Sequence, residues 1–537
     1  MILSGNSPNW KGQLTVNHGF LVATANNALG SSANRTVAIN ETWSGATLAF
    51  RPKFVGTGLS NSAGFDYTTA QAVTVKGMGY LRPWGSADPY DPYSALNLRP
   101  VGAIYNDGGN NTFAGNITML GHTWFGSRHG VLTLSGRIRQ SGGNYTFTKV
   151  GHGVIALSNP GAQWLGSENE WRQTVIREGV LRINEEKSLP NAHIRFEGGI
   201  FELGSGDFSR LLGTGNGQIN WLSNRDGGFS AFGGERTVTL NNGATLTWGS
   251  GGFVGNGAAL LLSSAYADSK IVFTNPINLG SSAYREIRVE RGATSAAHAV
   301  LSAQISSQVG GILKTGLGTL WLNNSANNYR HITTIREGVL GGYVPSNSRI
   351  DFDGGVLGIN GDFTRSLGTF ANQIQWLAGR DGGFASYSGT RTVTLGSAGS
   401  IVSVSDMWEG TPNFVNAGST LIFGAYDASG TVDFNNRLGL ISEFNPLDWG
   451  PNRVRVIRHR PDNAMISIGP LGDLPAANVV FSQEFYTPSG PPGNRSTSYN
   501  LYIEGDGRAD ITHAHTLVVN GVGGGTILLR TVGWATL

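Results

Sequence analysis

The sequence contains no cysteine, which excludes disulfide staples and cysteine-ligated metals. Charge is sparse: Asp, Glu, Lys and Arg make up 14% of the 537 residues, against about 25% in ordinary globular chains. Lysine is confined to Lys11, Lys53, Lys76, Lys149, Lys187, Lys270 and Lys314, so arginine supplies most of the positive charge. A balance of +3 over this length is too dilute for binding by counterion release, and no nucleic-acid partner is expected. No uninterrupted apolar run reaches the length of a membrane-spanning helix, so no membrane span is expected. The start, Met1-Ile-Leu-Ser-Gly-Asn6, lacks the basic and apolar regions of a signal peptide. On this reading any targeting or anchoring part lies outside the chain. Helical writing is missing too, because Glu, Lys, Ala and Leu do not recur at 3.6-residue spacing.

What is present is strand-and-turn writing. Short stretches of Val, Ile, Leu, Thr and Phe are cut every few residues by Gly, Asn, Asp or Ser. Glycine accounts for 80 residues, about double the usual ~7%. Hydrophobic content of 39% suffices for a packed core, so disorder is excluded. The chain reads as all-β.

Long internal repeats organise it. Thr174-Val-Ile-Arg-Glu-Gly-Val-Leu181 recurs as Thr333-Thr-Ile-Arg-Glu-Gly-Val-Leu340, and Phe196-Glu-Gly-Gly199 as Phe352-Asp-Gly-Gly355. Gln218-Ile-Asn-Trp221, Arg225-Asp-Gly-Gly-Phe229 and Arg236-Thr-Val-Thr-Leu240 return 155 residues on, at Gln373, Arg380 and Arg391. Upstream, Lys149-Val-Gly-His-Gly-Val-Ile155 matches Lys314-Thr-Gly-Leu-Gly-Thr-Leu320 at an offset of 165. Partial copies stand at both ends, giving segments 1–146 with an inserted Pro/aromatic loop, 147–312, 313–463 and 464–537 of one continuous solenoid. Each unit is too long for one solenoid turn. At roughly 20–25 residues per coil it holds about seven coils. The whole chain then makes a rod about 110 Å long at the ~4.8 Å strand spacing. Alternate Val, Ile, Leu and Phe point inward, and Gly and Asn turn the corners.

These residues resemble the autotransporter-associated β-strand repeat, also called the passenger-associated transport repeat. Lys314-Thr-Gly-Leu-Gly-Thr-Leu-Trp-Leu-Asn-Asn324, then Tyr329 and Arg336-Glu-Gly-Val-Leu340, look like its signature of Gly-rich strand, Asn turn, aromatic and second strand. The resemblance implies a single-stranded right-handed parallel β-helix (β-solenoid) in large secreted or surface proteins. These are often bacterial autotransporter passengers with adhesive or structural roles. Localisation is accordingly expected to be extracellular or on the outer cell surface of a bacterium.

The two ends look like halves of one motif. Arg530-Thr-Val-Gly-Trp-Ala-Thr-Leu537 resembles the first half of the Lys149 and Lys314 motif, and Met1-Ile-Leu-Ser-Gly-Asn6 the second. Either the chain is a window on a longer array, or copies stack head to tail by strand addition. Heterologous contacts that do not close make filaments. Met1, Ile2, Leu3, Trp534 and Leu537 are the expected head-to-tail contacts.

Residues able to do chemistry are few. His513 and His515 share a strand face with i and i+2 spacing, Asp510 being the one further candidate ligand, and read as outer-face histidines. Asp226 and Asp381 could be carboxylates of a β-helix glycan lyase or hydrolase. Their occurrence in two copies of Arg-Asp-Gly-Gly-Phe fits side chains closing a turn. Gly213, Gly215 and Gly217 lack the following Lys-Ser/Thr of a phosphate loop. Arg453, Arg455, Arg458 and Arg460 give one strand a basic face, suited to a polyanion or simply solvated. Pro- and aromatic-rich segments interrupt the repeat, and Trp84, Tyr90, Tyr93 and Tyr486 are candidates for stacking on sugars or on a neighbouring rod, with local packing the alternative. Asn34, Asn116 and Asn144 head Asn-x-Thr triplets expected by chance in such a composition.

The expectation is a structural or adhesive surface rod with no catalytic residues, cofactor or metal. Its partners are itself and a polysaccharide or host surface. A polysaccharide-active enzyme or carbohydrate-binding protein is the alternative. The two divide on whether residues that break the repeat converge in space.

Overall fold

In the computed structural model, strand accounts for 47% of the chain and helix for 2%. Described are residues 1–10, 12–30, 36–39, 45–51, 66–67, 72–83, 98–159, 169–403, 411–415, 419 and 421–439. The strand backbones 454–455, 466–468, 478–480, 498–504, 509–510 and 527–532 complete the set. The chain divides into two compact units, Met1–Val272 and Phe273–Leu537. Each is a parallel β-helix.

In the first unit, one ladder climbs through Ile2–Leu3, Gly19–Ala23, Ala46–Phe50, Ile104–Asn106, Ile117–Ser127, Thr146–Val150, Gln173–Ile176, His193–Phe196 and Gln218–Trp221. A second runs Asn111–Phe113, Val131–Leu134, Val154–Leu157, Val180–Ile183, Ile200–Leu203, Gly227–Ala231 and Leu260–Leu262. Phe208–Leu212 and Arg236–Leu240 begin a third side. The second unit repeats the plan. Tyr284–Val289, Gly311–Thr315, Thr333–Ile335, Ile350–Phe352 and Gln373–Trp376 form one ladder. Ala299–Leu301, Thr319–Leu322, Val339–Gly342, Val356–Ile359, Gly382–Ser386 and Leu421–Phe423 form the next. Phe363–Leu367, Thr390–Leu395 and Thr431–Phe434 form the third side.

Every pairing in these ladders is parallel, so the paired strands' backbone N–H and C=O groups bond to the neighbouring coil. Alternation decides what lies inside. Ile155, Leu157, Leu181, Ile183, Phe201, Leu203 and Phe229 are all fully or nearly fully enclosed. Within this core, like side chains stack in rows. Phe125 lies 4.1 Å from Phe147, which lies 4.9 Å from Trp171. The Phe196–Trp221–Phe253 row (4.7 and 5.1 Å) is reproduced by Phe352–Trp376–Phe414 (4.5 and 5.0 Å). Such pairs contribute roughly 0.5–1.5 kcal/mol each beyond their buried area.

Coil length departs from the expected band. Partners in register lie 17 residues apart at Val339 and Val356, but 39 apart at Gly383 and Ile422. Ladder pairing constrains only the strands, so loops between them lengthen at little cost. An antiparallel strand pair joins Leu81–Pro83 to Leu98–Pro100. It is the base of the Pro/aromatic insertion, whose span 84–97 lies outside the described residues.

Candidate functional site

The repeated Lys-x-Gly-x-Gly and Arg-Glu-Gly-Val-Leu segments meet at one corner of the coil. Lys149, wholly enclosed, donates from Nζ to the carbonyls of Val150 (2.8 Å), Gly151 (2.6 Å) and Glu178 (3.0 Å). The Glu178 carboxylate accepts the Gly151 N–H at 2.8 Å. In the second unit, Lys314 Nζ donates to Thr315, Gly316 and Glu337 carbonyls (2.9, 2.6 and 3.1 Å), and Glu337 accepts the Gly316 N–H at 2.7 Å. Burial pushes each lysine down to about 7, opposed by the charge of Glu178 or, for Lys314, of Glu337, Glu290 and Asp427. Gly151 and Gly316 both sit at φ 74°, the left-handed region that glycine enters without strain.

Two arginines do the same work at another corner. Arg210 donates to the Ala192 and Pro190 carbonyls (2.6 and 3.2 Å), and its counterpart Arg365 to those of Ser348 and Val344, both at 2.8 Å. Burial lowers both, Arg210 to about 10.

The outward side of the second ladder carries a strap. After Leu260–Leu262, Ser263 at φ 71° turns the chain back. Tyr266 then lies over the outward cluster of Val154, Ala156, Val180, Ile200, Ala259 and Leu261. Its hydroxyl accepts the Gly130 N–H at 3.2 Å, from a coil far below its own. Beneath the strap is a polar group that the repeat does not share. Glu202, fully enclosed, accepts Arg182 Nε at 2.6 Å and the Ser230 and Ser264 hydroxyls at 2.8 Å each. Arg182 also donates to the Tyr266 carbonyl at 3.2 Å, and its guanidinium lies 3.4 Å from the Phe232 ring centre.

The second unit fills the same volume differently. Gly341 and Gly358 replace Arg182 and Glu202, and Trp321 meets Tyr387 edge to face at 4.9 Å. A Cβ on Gly341 would come within 2.4 Å of the Trp321 ring. Its strap, turned by Gly424 at φ 112°, is held by Asp427, which accepts the Thr319 hydroxyl at 2.6 Å and also the Tyr387 hydroxyl. Arg291 lies over the Tyr426 ring at 4.7 Å. Burial pushes Tyr426 up to about 12, the Asp427 charge adding to it, and raises Tyr387 for the same reasons in the same order.

No protein-family model, curated protein or solved structure matches this chain.

The residues proposed from sequence fare unequally. Met1, Ile2 and Leu3 are described: Ile2–Leu3 pairs with Val22–Ala23, and Met1 and Ile2 are 76% and 57% exposed. Trp84, Tyr90, Tyr93, Tyr486, Trp534, Leu537, His513, His515, Arg453, Arg458 and Arg460 lie outside the described residues, as do the side chains of Arg455 and Asp510. Asp226 accepts the Ala259 N–H at 2.8 Å, from the coil above. The glycines after it are fixed by close approach: a Cβ on Gly228 would stand 1.8 Å from the Leu261 carbonyl oxygen. The Gly213–Gly217 loop closes on the Gln218 side chain, which accepts the Gly215 N–H at 2.7 Å. Asn116 accepts the Arg137 N–H at 3.0 Å. Among the described residues no cluster of three or more His, Asp or Glu is placed to hold a metal.

Sequence reasoning missed the straps, Arg182, Glu202 and the bracketing arginines. A signal existed for the first: Leu260-Leu-Leu-Ser-Ser-Ala-Tyr266 and Leu421-Ile-Phe-Gly-Ala-Tyr426 both place Ala-Tyr just after an apolar strand.

Proposed function

We propose that this chain is a structural or adhesive β-solenoid of a bacterial cell surface, of the kind implied by its resemblance to the autotransporter-associated β-strand repeat. The observation that carries the reading is the use of its charged residues. In both units the ammonium groups of Lys149 and Lys314 are committed to backbone carbonyls at corners. A side chain that serves the same structural bond in two copies supports a scaffold role. The polar group that breaks the repeat, around Glu202, is enclosed beneath the Tyr266 strap with its carboxylate oxygens engaged by Arg182, Ser230 and Ser264. That enclosure favours a structural pin over the acid–base pair of a polysaccharide-cleaving enzyme.

A further coil, from a second copy or a longer array, adds at the Ile2–Leu3 strand, which pairs with Val22–Ala23 and leaves Ile2 and the adjoining Met1 exposed. Electron microscopy of the concentrated, purified chain tests this. End-to-end fibres that shorten when Ile2 and Leu3 are changed to Lys support it, and a chain that stays monomeric at high concentration contradicts stacking. Depolymerisation of an acidic or neutral polysaccharide by the purified chain, abolished by Glu202→Gln, would replace the scaffold reading with the enzyme.

A further inference from the structure

The outward side of the first ladder in unit 1 presents a row of polar side chains on successive coils. Thr146, Gln173 and His193 stand in register. Thr146 donates to Gln173 Oε1 at 3.5 Å, Gln173 Nε2 meets His193 Nδ1 at 2.9 Å, and His193 Nε2 meets Asn220 Oδ1 at 2.8 Å. Both contacts are satisfied together by a neutral ring that accepts at Nδ1 and donates from Nε2. The imidazole therefore fixes the two amides, which are only half-buried.

Arginines surround this row. Arg195 is in register with Asn220 and one-third exposed, its guanidinium touching Glu197; Arg172 is exposed and donates to Asn216. Arg210 adds its charge from the side. Burial lowers His193, the Asn220 hydrogen bond opposes it, and Arg195, Arg172 and Arg210 lower it further, which reports a positive field at the row.

The corresponding place in unit 2 is built differently. Arg349 and Asp351 stand where unit 1 has His193 and Arg195, and they pair bidentately at 2.6 and 3.0 Å. The face of unit 1 thus breaks the repeat at the surface, with cations that exceed their acidic neighbours. Amides held in plane beside arginines are the side chains that recognise sugar hydroxyls and carboxylates. Successive rows rise by the strand spacing of ~4.8 Å, comparable to one sugar unit.

We propose that this face binds an acidic polysaccharide lying along the ladder, with Arg172 and Arg195 taking carboxylates and Gln173 and Asn220 taking hydroxyls. His193 is a positioning residue. The inference deepens the adhesive side of the reading above but is measured on the dispersed chain, so failure to form fibres leaves it intact and loss of binding leaves the scaffold intact.

The test is calorimetric titration of the whole chain with polygalacturonate, dextran and duplex DNA. Expected is polygalacturonate binding that weakens as salt rises from about 0.05 to about 0.5 M. Binding falls at least about tenfold in the Arg172→Gln/Arg195→Gln double variant. It is unchanged in Arg349→Gln, circular dichroism being unaltered in both. His193→Ala lowers affinity and is partly rescued by His193→Gln. Unaltered binding in the double variant overturns the site. Equal binding of dextran overturns the role of charge, and equally tight DNA binding overturns the polysaccharide assignment.

Discussion

The Lys149 ammonium donates to the Glu178 carbonyl at 3.0 Å, while the Glu178 carboxylate reaches back 2.8 Å to the Gly151 N–H. The two residues thereby lock consecutive coils at a corner where the chain turns away from its ladder. Lys314 and Glu337 reproduce the lock in the second unit. An ammonium has three protons and each lysine has three carbonyl acceptors, so every proton of the charged form has a partner.

Removing the lysine therefore leaves several buried carbonyls unpaired. Lys149→Ala also opens a cavity, and is expected to destabilise unit 1 by about 3–5 kcal/mol. Lys149→Met fills the volume and relieves the buried charge, so its cost is smaller, about 1–3 kcal/mol. Denaturant unfolding monitored by tryptophan fluorescence measures both. A Met variant costing as much as Ala would remove the role of shape complementarity.

The same lysines set a pH dependence. In the unfolded chain they hold their protons to about pH 10.4. In the folded chain burial brings them down to about 7. Between these values the unfolded state binds more protons, so stability rises with pH from about 7 toward 10 and is insensitive to these groups below 7. Above about 10 the buried tyrosines act oppositely. Tyr329, Tyr387 and Tyr426 are all raised by burial, whereas unfolded tyrosines ionise near 10. Melting temperature is expected to peak near pH 10, and the rise from pH 8 to 10 to shrink in a Lys149→Met/Lys314→Met variant. An equal rise in that variant would assign the effect elsewhere.

Breaking the enclosed pair beneath the strap is costly in one direction only. Glu202→Ala strands the Arg182 charge, and about 3–5 kcal/mol of destabilisation is expected. The double change Arg182→Met/Glu202→Leu removes both charges and is expected to recover at least half of that loss. A double-mutant cycle gives the coupling directly. A double variant as unstable as the sum of the single ones would show no coupling.

The fold was legible where pattern alone decides it. Glycine-cut apolar stretches and the recurring Arg-Glu-Gly-Val-Leu are direct consequences of parallel ladders with tight corners. The Gly-Gly of Arg225-Asp-Gly-Gly-Phe229 was legible as structural because it recurs, but it opens the Gly227–Ala231 strand instead of turning a corner. Its reason, that a Cβ on Gly228 would stand 1.8 Å from the Leu261 carbonyl oxygen, was not legible. Coil length was not legible, since nothing in a sequence fixes how much chain, such as the 39 residues from Gly383 to Ile422, intervenes before a strand pairs with the next coil. The burial of Lys149 ran against composition: a lone lysine beside glycines reads as exposed, and only its three carbonyl acceptors reverse that. The Gln173–His193–Asn220 row was hidden because its members are scattered along the chain and meet only after the coils stack.

Glycine substitutions grade the tightness of the stack. Gly228→Ala and Gly383→Ala each place a Cβ 1.8 Å from a carbonyl oxygen on the next coil, and more than about 3 kcal/mol is expected for either. Gly251, at φ 63° with open space around it, is expected to cost only about 1–2 kcal/mol as alanine. Thermal melts of the three variants order them, and a Gly251→Ala as damaging as Gly228→Ala would contradict the assigned cause.

Cryo-electron microscopy of the purified chain at side-chain resolution tests the central claim most directly. The account predicts that within each unit the strands form layers ~4.8 Å apart, with density for Lys149 and Lys314 ending among the corner carbonyls. Helical lobes, or an open cleft gathering carboxylates found in one unit alone, would contradict it.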